Sequence, residues 1–540
     1  MKRKILKGVT LLLALVMACA SFTGCGKKEE VVNVEKNGAE VKLNGDKIYP
    51  IQCDDTLEYW MSSSIMWNHK FENFAETPLG KAIAEATGVN VTYIHPQIGQ
   101  DAEQFQILLA SDELPDLVQY DWGSYPGGPE AAIKDGYIYK LNDIIDKWSP
   151  ALKATLESNS VWDKGSKTDS GAYYTYPMLL QEGILQIAYG PAVRADLFKK
   201  LNLEVPTTIE EWETVLKAFK ASGVQFPFTG DINMLLQTFG PAYGTTPSWI
   251  LDGDEVVYGY TKPGMKDLLT TLNKWYKEGL IHPDFATLDD NTIKTKLLNG
   301  EGAVSMFWCG SGLGTLLNAE KDRSKFDLLG VQYPSMKKGE NAEYSYMSGV
   351  TMTGVGVGIS NNCKNIELAA RFLDYGFTEE GHNLYNFGIE GESYTWEDKD
   401  GEPYPTYTDL ILNNPDGLSI GNAMGLYMRS CYNGVMVQDQ RYMEQYYPTE
   451  QQKNAQLEWM KTNMAEHLLP PISVLTEESD VDANTMANVQ TYVDEMLLKF
   501  ITGETSIDKF DEKYLAQVDK FGLQESVKFR QNAYERYQKR

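Results

Sequence analysis

The sequence predicts an α/β protein, on three observations: a β-α-β-α-β alternation over residues 56–120, a second α/β run after residues 185–190, and a long apolar helical stripe over residues 486–501. In the first run, LEYWM (57–61) reads as a strand. PLGKAIAEATG (78–88) reads as a helix with Leu79, Ile83 and Ala86 on one face and Gly88 past its end. VNVTYI (89–94) is a second strand, AEQFQILLAS (102–111) a helix with Phe105, Leu108 and Leu109 inward, and DLVQY (116–120) a third strand. Such alternation implies a largely parallel sheet covered by helices, with ligands at the carboxyl ends of the strands.

The second run follows LQIAYG (185–190). VPTTIEEWETVLKAFKASG (205–223) carries Pro206, a capping box from Thr208 to Glu211, and Trp212, Val215, Leu216 and Phe219 at helical spacing. GMKDLLTTLNKWYKEGL (264–280) is a helix with Leu268, Leu269, Leu272, Trp275 and Tyr276 inward and Gly279 at its end. NTIKTKLLNG (291–300) leads into the strand AVSMFW (303–308). The glycine-spaced GVTMTGVGVGI (349–359) reads as a buried crossing segment, because glycines persist in strands where another part of the chain passes closely. Met486, Val489, Tyr492, Val493, Met496, Leu497, Phe500 and Ile501 form the longest helical stripe. No repeat of solenoid type occurs.

Residues 1–24 read as an export signal. Lys2, Arg3, Lys4 and Lys7 precede an apolar run from Val9 to Ala20, which is shorter than the roughly 20 apolar residues of a membrane span. FTGC (22–25) resembles the lipobox of bacterial lipoproteins, with Phe22 where Leu is usual. The resemblance implies that Cys25 is diacylated and becomes the mature N-terminus; the alternative is an ordinary secretory peptide cleaved near Ala20. Two acyl chains make a stable anchor where one is marginal. Residues 25–54 are charged, without a clear apolar period, and read as a tether.

The net charge is −26, and the signal removes four cations and no acid. An acidic surface repels phosphate backbones and anionic lipid heads, which argues against nucleic-acid binding and electrostatic membrane contact. Cys53, Cys309, Cys363 and Cys431 are scattered without a C-x-x-C pair, so neither a zinc site nor a dense disulfide scaffold fits. Mostly buried free thiols are expected, with one disulfide left open. The five histidines lie far apart in sequence and are assigned structural roles.

ILLASDELPDLV (107–118), VRADLFKKLNLEVPTTIEEW (193–212), LNKWYKEGLIHPDFAT (272–287) and NNCKNIELAARFLDYGFTEEGHNLYNFGIEG (361–391), with FITGETSIDKFDEKYLAQVDKFGL and AYERY in the tail (500–537), together resemble the extracellular solute-binding proteins, family 1. Within that family the likeness is to the large LipO-like sugar-binding lipoproteins of Gram-positive ABC importers. It implies a two-lobe, type II periplasmic-binding-protein-like fold with a ligand cleft between the lobes and several hinge crossings. One lobe is expected from residues 55–188 and 356–395, the other from 189–355 and 396–540. Crossings are expected near Ala188 to Gly190, near Thr353 to Gly356, and after Gly391. It further implies a monomer on the outer face of the cell membrane that closes on an oligosaccharide and presents it to the permease transmembrane subunits.

A sugar ring has an apolar face and a rim of hydroxyls, so its sites combine aromatic platforms with polar partners. The chain holds 11 Trp, 32 Tyr and 19 Phe. WMSSSIMWN (60–68) follows the first strand and should bring Ser62, Ser63, Ser64 and Trp67 to the cleft. YDWGSYPGG (120–128) follows the third and should bring Asp121, Trp122 and Tyr125. FWCGSG (307–312) offers Trp308, SYMSG offers Tyr346, and TTPSWI places Trp249 at the rim. On this reading Trp122→Ala weakens sugar binding by roughly 1–3 kcal/mol. Trp212 and Trp275 lie on apolar helical faces and are assigned to the core.

Some members of the family carry a calcium loop of pattern D-x-N-G-x-G-x-x-D-E after the helix that here contains EEWETVLKAFK. This chain continues ASGVQFPFTGD, without an acidic ladder, so no calcium is expected there. WEDKDGEP (396–403) lacks the alternate ligands and the terminal Glu of an EF-hand loop. No cofactor and no catalytic residue is expected. The competing readings are a peptide or amino-acid receptor, and a secreted glycoside hydrolase, which needs two carboxylates flanking one bond.

Overall fold

The computed structural model describes residues 38–540 apart from 112, 350 and 430–433. The signal, Cys25 and Cys431 lie outside the described residues. Two sheets organise the chain. The first has six strands in the order Met436–Gln438, Tyr176–Leu180, Thr351–Ile359, Leu117–Gln119, Thr56–Trp60, Asn90–Ile94. Thr56–Trp60 runs parallel to both its neighbours, as the alternation predicts. The sheet as a whole is mixed rather than largely parallel, because Thr351–Ile359 enters between Leu117–Gln119 and Tyr176–Leu180 antiparallel to both. It arrives from the other sheet, so no crossover helix sets its direction.

The second sheet has Tyr189–Arg194 at its centre, antiparallel to Val304–Trp308 and Leu328–Gly330. Phe228 extends it through bridges to Val304 and Ile281. The helix Glu450–Trp459 lies on it with very little clearance. A Cβ on Gly330 would come within 2.2 Å of the Ala455 Cβ, and one on Gly190 within 2.5 Å of the Trp459 ring. Glycine is required at both points by this close approach. In the first sheet Gly358 serves likewise, facing Trp122 and Ile138.

The chain passes between the sheets three times: between Leu180 and Tyr189, between Gly330 and Thr351, and between Gln438 and Glu450. Three expectations are corrected here. Residues 353–356 belong to a strand of the first sheet, so the second crossing precedes them. The segment 396–438 belongs with the first sheet, not the second: Met436–Gln438 pairs with Tyr176–Leu180, and the hairpin Tyr394–Lys399/Glu402–Tyr407 joins it through the Tyr407 hydroxyl, which donates to the Asn386 carbonyl. The tether also ends earlier than residue 54. Lys42–Asn44 and Lys47–Gln52 form a hairpin whose Ile51 is buried, and the Tyr49 hydroxyl donates to the Arg371 carbonyl at 2.6 Å. The single buried Ile in KIYPIQ is too short an apolar signal to separate from the charged residues around it.

The crossings are tied side by side. Gln186 and Ser348 exchange hydrogen bonds, the Gln186 side chain donating to the Ser348 carbonyl at 2.9 Å and the Ser348 N–H to the Gln186 carbonyl at 3.0 Å. Gln440 N–H donates to the Gln181 side chain at 3.0 Å. From the second lobe, Gln456 Nε2 donates to the carbonyls of Ile184 and Ile187. These bonds hold the crossing segments together between the lobes.

The helices follow their sequence signals. Thr208 and Glu211 cap Ile209–Ala221 reciprocally, and its Trp212, Val215, Leu216 and Phe219 are buried. Gly264–Lys277 ends before Gly279, which has φ +66°. Thr476–Thr502 buries Val489, Val493, Met496, Leu497, Phe500 and Ile501. Cys53, Cys309 and Cys363 are free thiols.

One capping residue acts at long range. Asp374, fully buried, accepts from the N–H groups of Ala151 and Leu152 at 3.2 and 2.7 Å, so it caps Pro150–Ser158 from another helix. Burial outweighs these donors and pushes its carboxyl up to about 6. The native state therefore holds this proton more tightly than the unfolded chain. The resulting stability is present below the unfolded pKa and lost as pH rises through the folded one. Between pH 4 and pH 7 the wild type should lose about 2–3 kcal/mol relative to Asp374→Asn, read by urea unfolding at each pH.

Candidate functional site

Both sheets turn the same kind of edge toward each other. In the first lobe the parallel strands Thr56–Trp60 and Leu117–Gln119 end at residues 61–64 and 120–125, on the edge from which the crossings leave. In the second lobe that edge holds Tyr189, the first residue of its strand, paired in register with Trp308, the last of the neighbouring strand.

At this second edge lies an aromatic trio. The Trp308 ring is 5.0 Å from Tyr189 and 5.5 Å from Tyr346, and the two tyrosines are 5.3 Å apart. Trp308 is 45% exposed, although it ends a strand whose other residues are buried. The Tyr333 hydroxyl fixes the trio from below, donating to the Tyr189 carbonyl at 3.2 Å and accepting from Tyr346 N–H at 3.3 Å. Tyr189 is absent from the sequence-based set. Its signal lies in the sequence: cross-strand neighbours share a face, and Tyr189 is the first residue of the lobe expected from 189–355.

A cavity of about 520 Å³ opens between the lobes. The first lobe contributes Tyr125, Gly127, Gly128 and Lys167; the second contributes Ser473, Asp482, Arg530 and Arg540. Tyr125 donates to Asp135 at 2.8 Å; burial, then this carboxylate, raises its phenol above the usual range. Trp249 sits beside this cavity through Arg530, whose guanidinium lies over the Trp249 ring at 4.3 Å and bonds Asp482. Asp169 of the first lobe binds both Arg536 and Arg540 of the second, the latter at 2.5 Å. Sequence reasoning could not find Arg530 and Asp482 as a pair, since they come from different helices 48 residues apart.

Of the sequence-based set, Tyr125 lines the interlobe cavity, Trp308 and Tyr346 stand together at the strand edge beside the crossings, and Trp249 opens the strand Trp249–Asp252 beneath Arg530. Ser62, Ser63 and Ser64 are half-buried in the loop at the first edge, where Ser64 caps Ile65–Asn68 by accepting from Met66 N–H. Asp121 is half-buried and caps the turn Trp122–Ser124, accepting from Gly123 N–H at 3.0 Å. Two residues are corrected. Trp122 is fully buried, its ring 5.3 Å from Phe105 and its Nε1 donating to the Val118 carbonyl. Trp67 is fully buried between Phe74 and His95. Each lies just beyond a strand end, but Trp122 opens the turn Trp122–Ser124 and Trp67 sits within the helix Ile65–Asn68, and both indoles pack back into the core, so neither offers a ring face.

After Ile209–Ala221 the only carboxylate over residues 222–231 is Asp231, and it caps Ile232–Phe239 by accepting from Met234 N–H at 2.8 Å. This segment does not fit a calcium ion. Among the described residues no group of three or more His, Cys, Asp or Glu side chains could hold a metal, and no helix is long and apolar enough to cross a membrane.

The bacterial extracellular solute-binding protein profile matches residues 72–383. The fructooligosaccharide ABC transporter substrate-binding protein FusA of Streptococcus pneumoniae serotype 4 is 22% identical over 97% of this chain and 97% of its own. Lipoprotein LipO of Bacillus subtilis is 23% identical over 74% of this chain and 76% of its own. Among solved structures, the alginate-binding protein AlgQ2 superposes with a TM-score of 0.69 at 23% identity, covering 89% of this chain and 98% of that one. An HMO-binding solute-binding protein from Bifidobacterium longum infantis gives 0.71 at 18% identity, covering 89% and 99%. These neighbours share the type II fold, and the profile spans more than half of the residues. The chain belongs to the bacterial extracellular solute-binding protein family.

Proposed function

We propose that this protein is the receptor of an ABC importer and captures an oligosaccharide between its lobes. The observation that carries the reading is the half-exposed Trp308 held by Tyr189 and Tyr346 on the edge facing the other lobe. An aromatic face kept in water at some cost suits the C–H face of a sugar ring. FusA and AlgQ2, by their names, bind fructooligosaccharide and alginate, and YtcQ of Bacillus subtilis, 22% identical, binds polygalacturonan/rhamnogalacturonan. A sugar touching both lobes binds the closed form better, and hinge motion at the three crossings then shifts the population toward it. The permease would take the closed form. The reading is of a binder that returns its ligand uncleaved, so long incubation with a bound oligosaccharide should release no reducing ends.

Titration calorimetry with oligosaccharides tests the capture; tight peptide binding with no heat from any oligosaccharide would assign the peptide-receptor reading instead. The anchor belongs to the same proposal. FTGC and the charged residues after it would hold the receptor on the outer face of the membrane, raising its effective concentration at the permease. Labelled palmitate should enter the wild-type protein and not Cys25→Ala, which should leave the cell surface. Equal labelling of both would refute the anchor.

A further inference from the structure

We infer that the interlobe site selects uncharged oligosaccharides and rejects uronate oligomers, an inference that rests on the sugar-receptor reading above. The ground is the pairing of its charges. Three cations line the interlobe cavity, and each already faces a carboxylate of this chain. Lys167 bonds Asp163 at 2.6 Å, Arg530 bonds Asp482, and Arg540 bonds Asp169 at 2.5 Å. Arg530 and Arg540 are further committed. The first sits over the Trp249 ring at 4.3 Å, and the second donates to the carbonyls of Lys164, Lys167 and Pro471. Asp480 adds a carboxylate to the lining.

The aromatic trio has the same bias. Burial raises the Tyr189 phenol, and the ionised side chains that raise it further are Asp231 and Asp290, both carboxylates. Asp290 has its own partner in Lys294 at 2.6 Å.

A uronate oligomer brings one carboxylate per ring. Taking such a charge out of water is costly unless a cation meets it, and here a cation is freed only by breaking an existing pair and leaving that carboxylate uncompensated. The chain's net charge of −26 adds repulsion at longer range, screened beyond about 8 Å at physiological salt. A neutral sugar meets none of these costs. Its hydroxyls can accept from the remaining N–H groups of Arg530 and Lys167 and donate to their carboxylates, so the same ion pairs that exclude uronates serve as hydrogen-bonding partners for it.

The test is a glycan array of neutral fructan, mannan, xylan and glucan oligomers beside oligogalacturonates and oligoalginates, with calorimetry of the purified chain on every hit and on a random peptide pool. Binding confined to neutral oligomers is expected. Asp482→Asn and, at the more accessible pair, Asp163→Asn each free one cation and should narrow the neutral-to-uronate affinity ratio by about tenfold. Circular dichroism melts establish that each variant is folded, and either folded variant suffices for the comparison. Uronates bound as tightly as neutral oligomers by the wild type would overturn the selectivity while leaving the sugar reading intact. Peptide binding with no sugar bound would overturn both. A ratio unchanged in a folded variant would overturn the role given to the ion pairs.

Discussion

Trp122→Ala should destabilise the protein by about 3–5 kcal/mol, the cost of emptying a large aromatic site in a packed core. The indole is fully buried with Phe105, Val118, Ile138 and Tyr174, and Gly358 of the neighbouring strand leaves just the space that its ring occupies. Its Nε1 bond to the Val118 carbonyl is lost as well. The void lies beneath the loop that carries Asp121 and Tyr125, so ligand affinity should change only through the folded fraction. Chemical unfolding checks the first part, and calorimetry at a temperature where the variant is folded checks the second. A stable Trp122→Ala with weakened sugar binding would return this ring to the ligand.

Trp308→Ala should do the reverse. The side chain is 45% exposed, so its removal leaves no cavity, and unfolding should shift by less than about 1 kcal/mol. Sugar affinity should fall by roughly 1–3 kcal/mol, or about tenfold to a hundredfold, if the ring stacks on the ligand. Tyr189→Ala is the accompanying variant. Its phenol supports Trp308 from the adjacent strand, and its loss should weaken binding less than that of Trp308 itself. Equal loss of affinity and of stability in Trp308→Ala would make the ring a structural one.

The contrast between these two tryptophans shows what the sequence could and could not convey. Trp122 comes just after a strand and Trp308 ends one, and strand order alone places both at the same kind of edge. What separates them is the next few residues. Asp121 caps a turn that rolls Trp122 inward, whereas Trp308 is still in its strand and points where the alternation sends it. Regular elements were legible because they depend on local periodicity: the Thr208–Glu211 capping box, the stripe from Val489 to Ile501 and the stop at Gly279 all act within a few residues. The direction of Thr351–Ile359 was not legible, since glycine spacing shows close passage but not orientation. The placement of 396–438 failed for a similar reason: the three-residue strand Met436–Gln438 that ties it to the first sheet carries no periodicity. Nor could the ion pairs between lobes be seen, because Asp169, Arg536 and Arg540 meet only once the C-terminal helix has packed across the cleft.

The most direct test of the account is a crystal structure of the protein with an oligosaccharide shown by calorimetry to bind it. The account predicts a sugar ring stacked on Trp308, flanked by Tyr189 and Tyr346, with polar contacts from the first lobe and the two lobes closed around it. A bound ligand elsewhere on the surface, with Trp308 still facing water and the lobes unmoved, would contradict it.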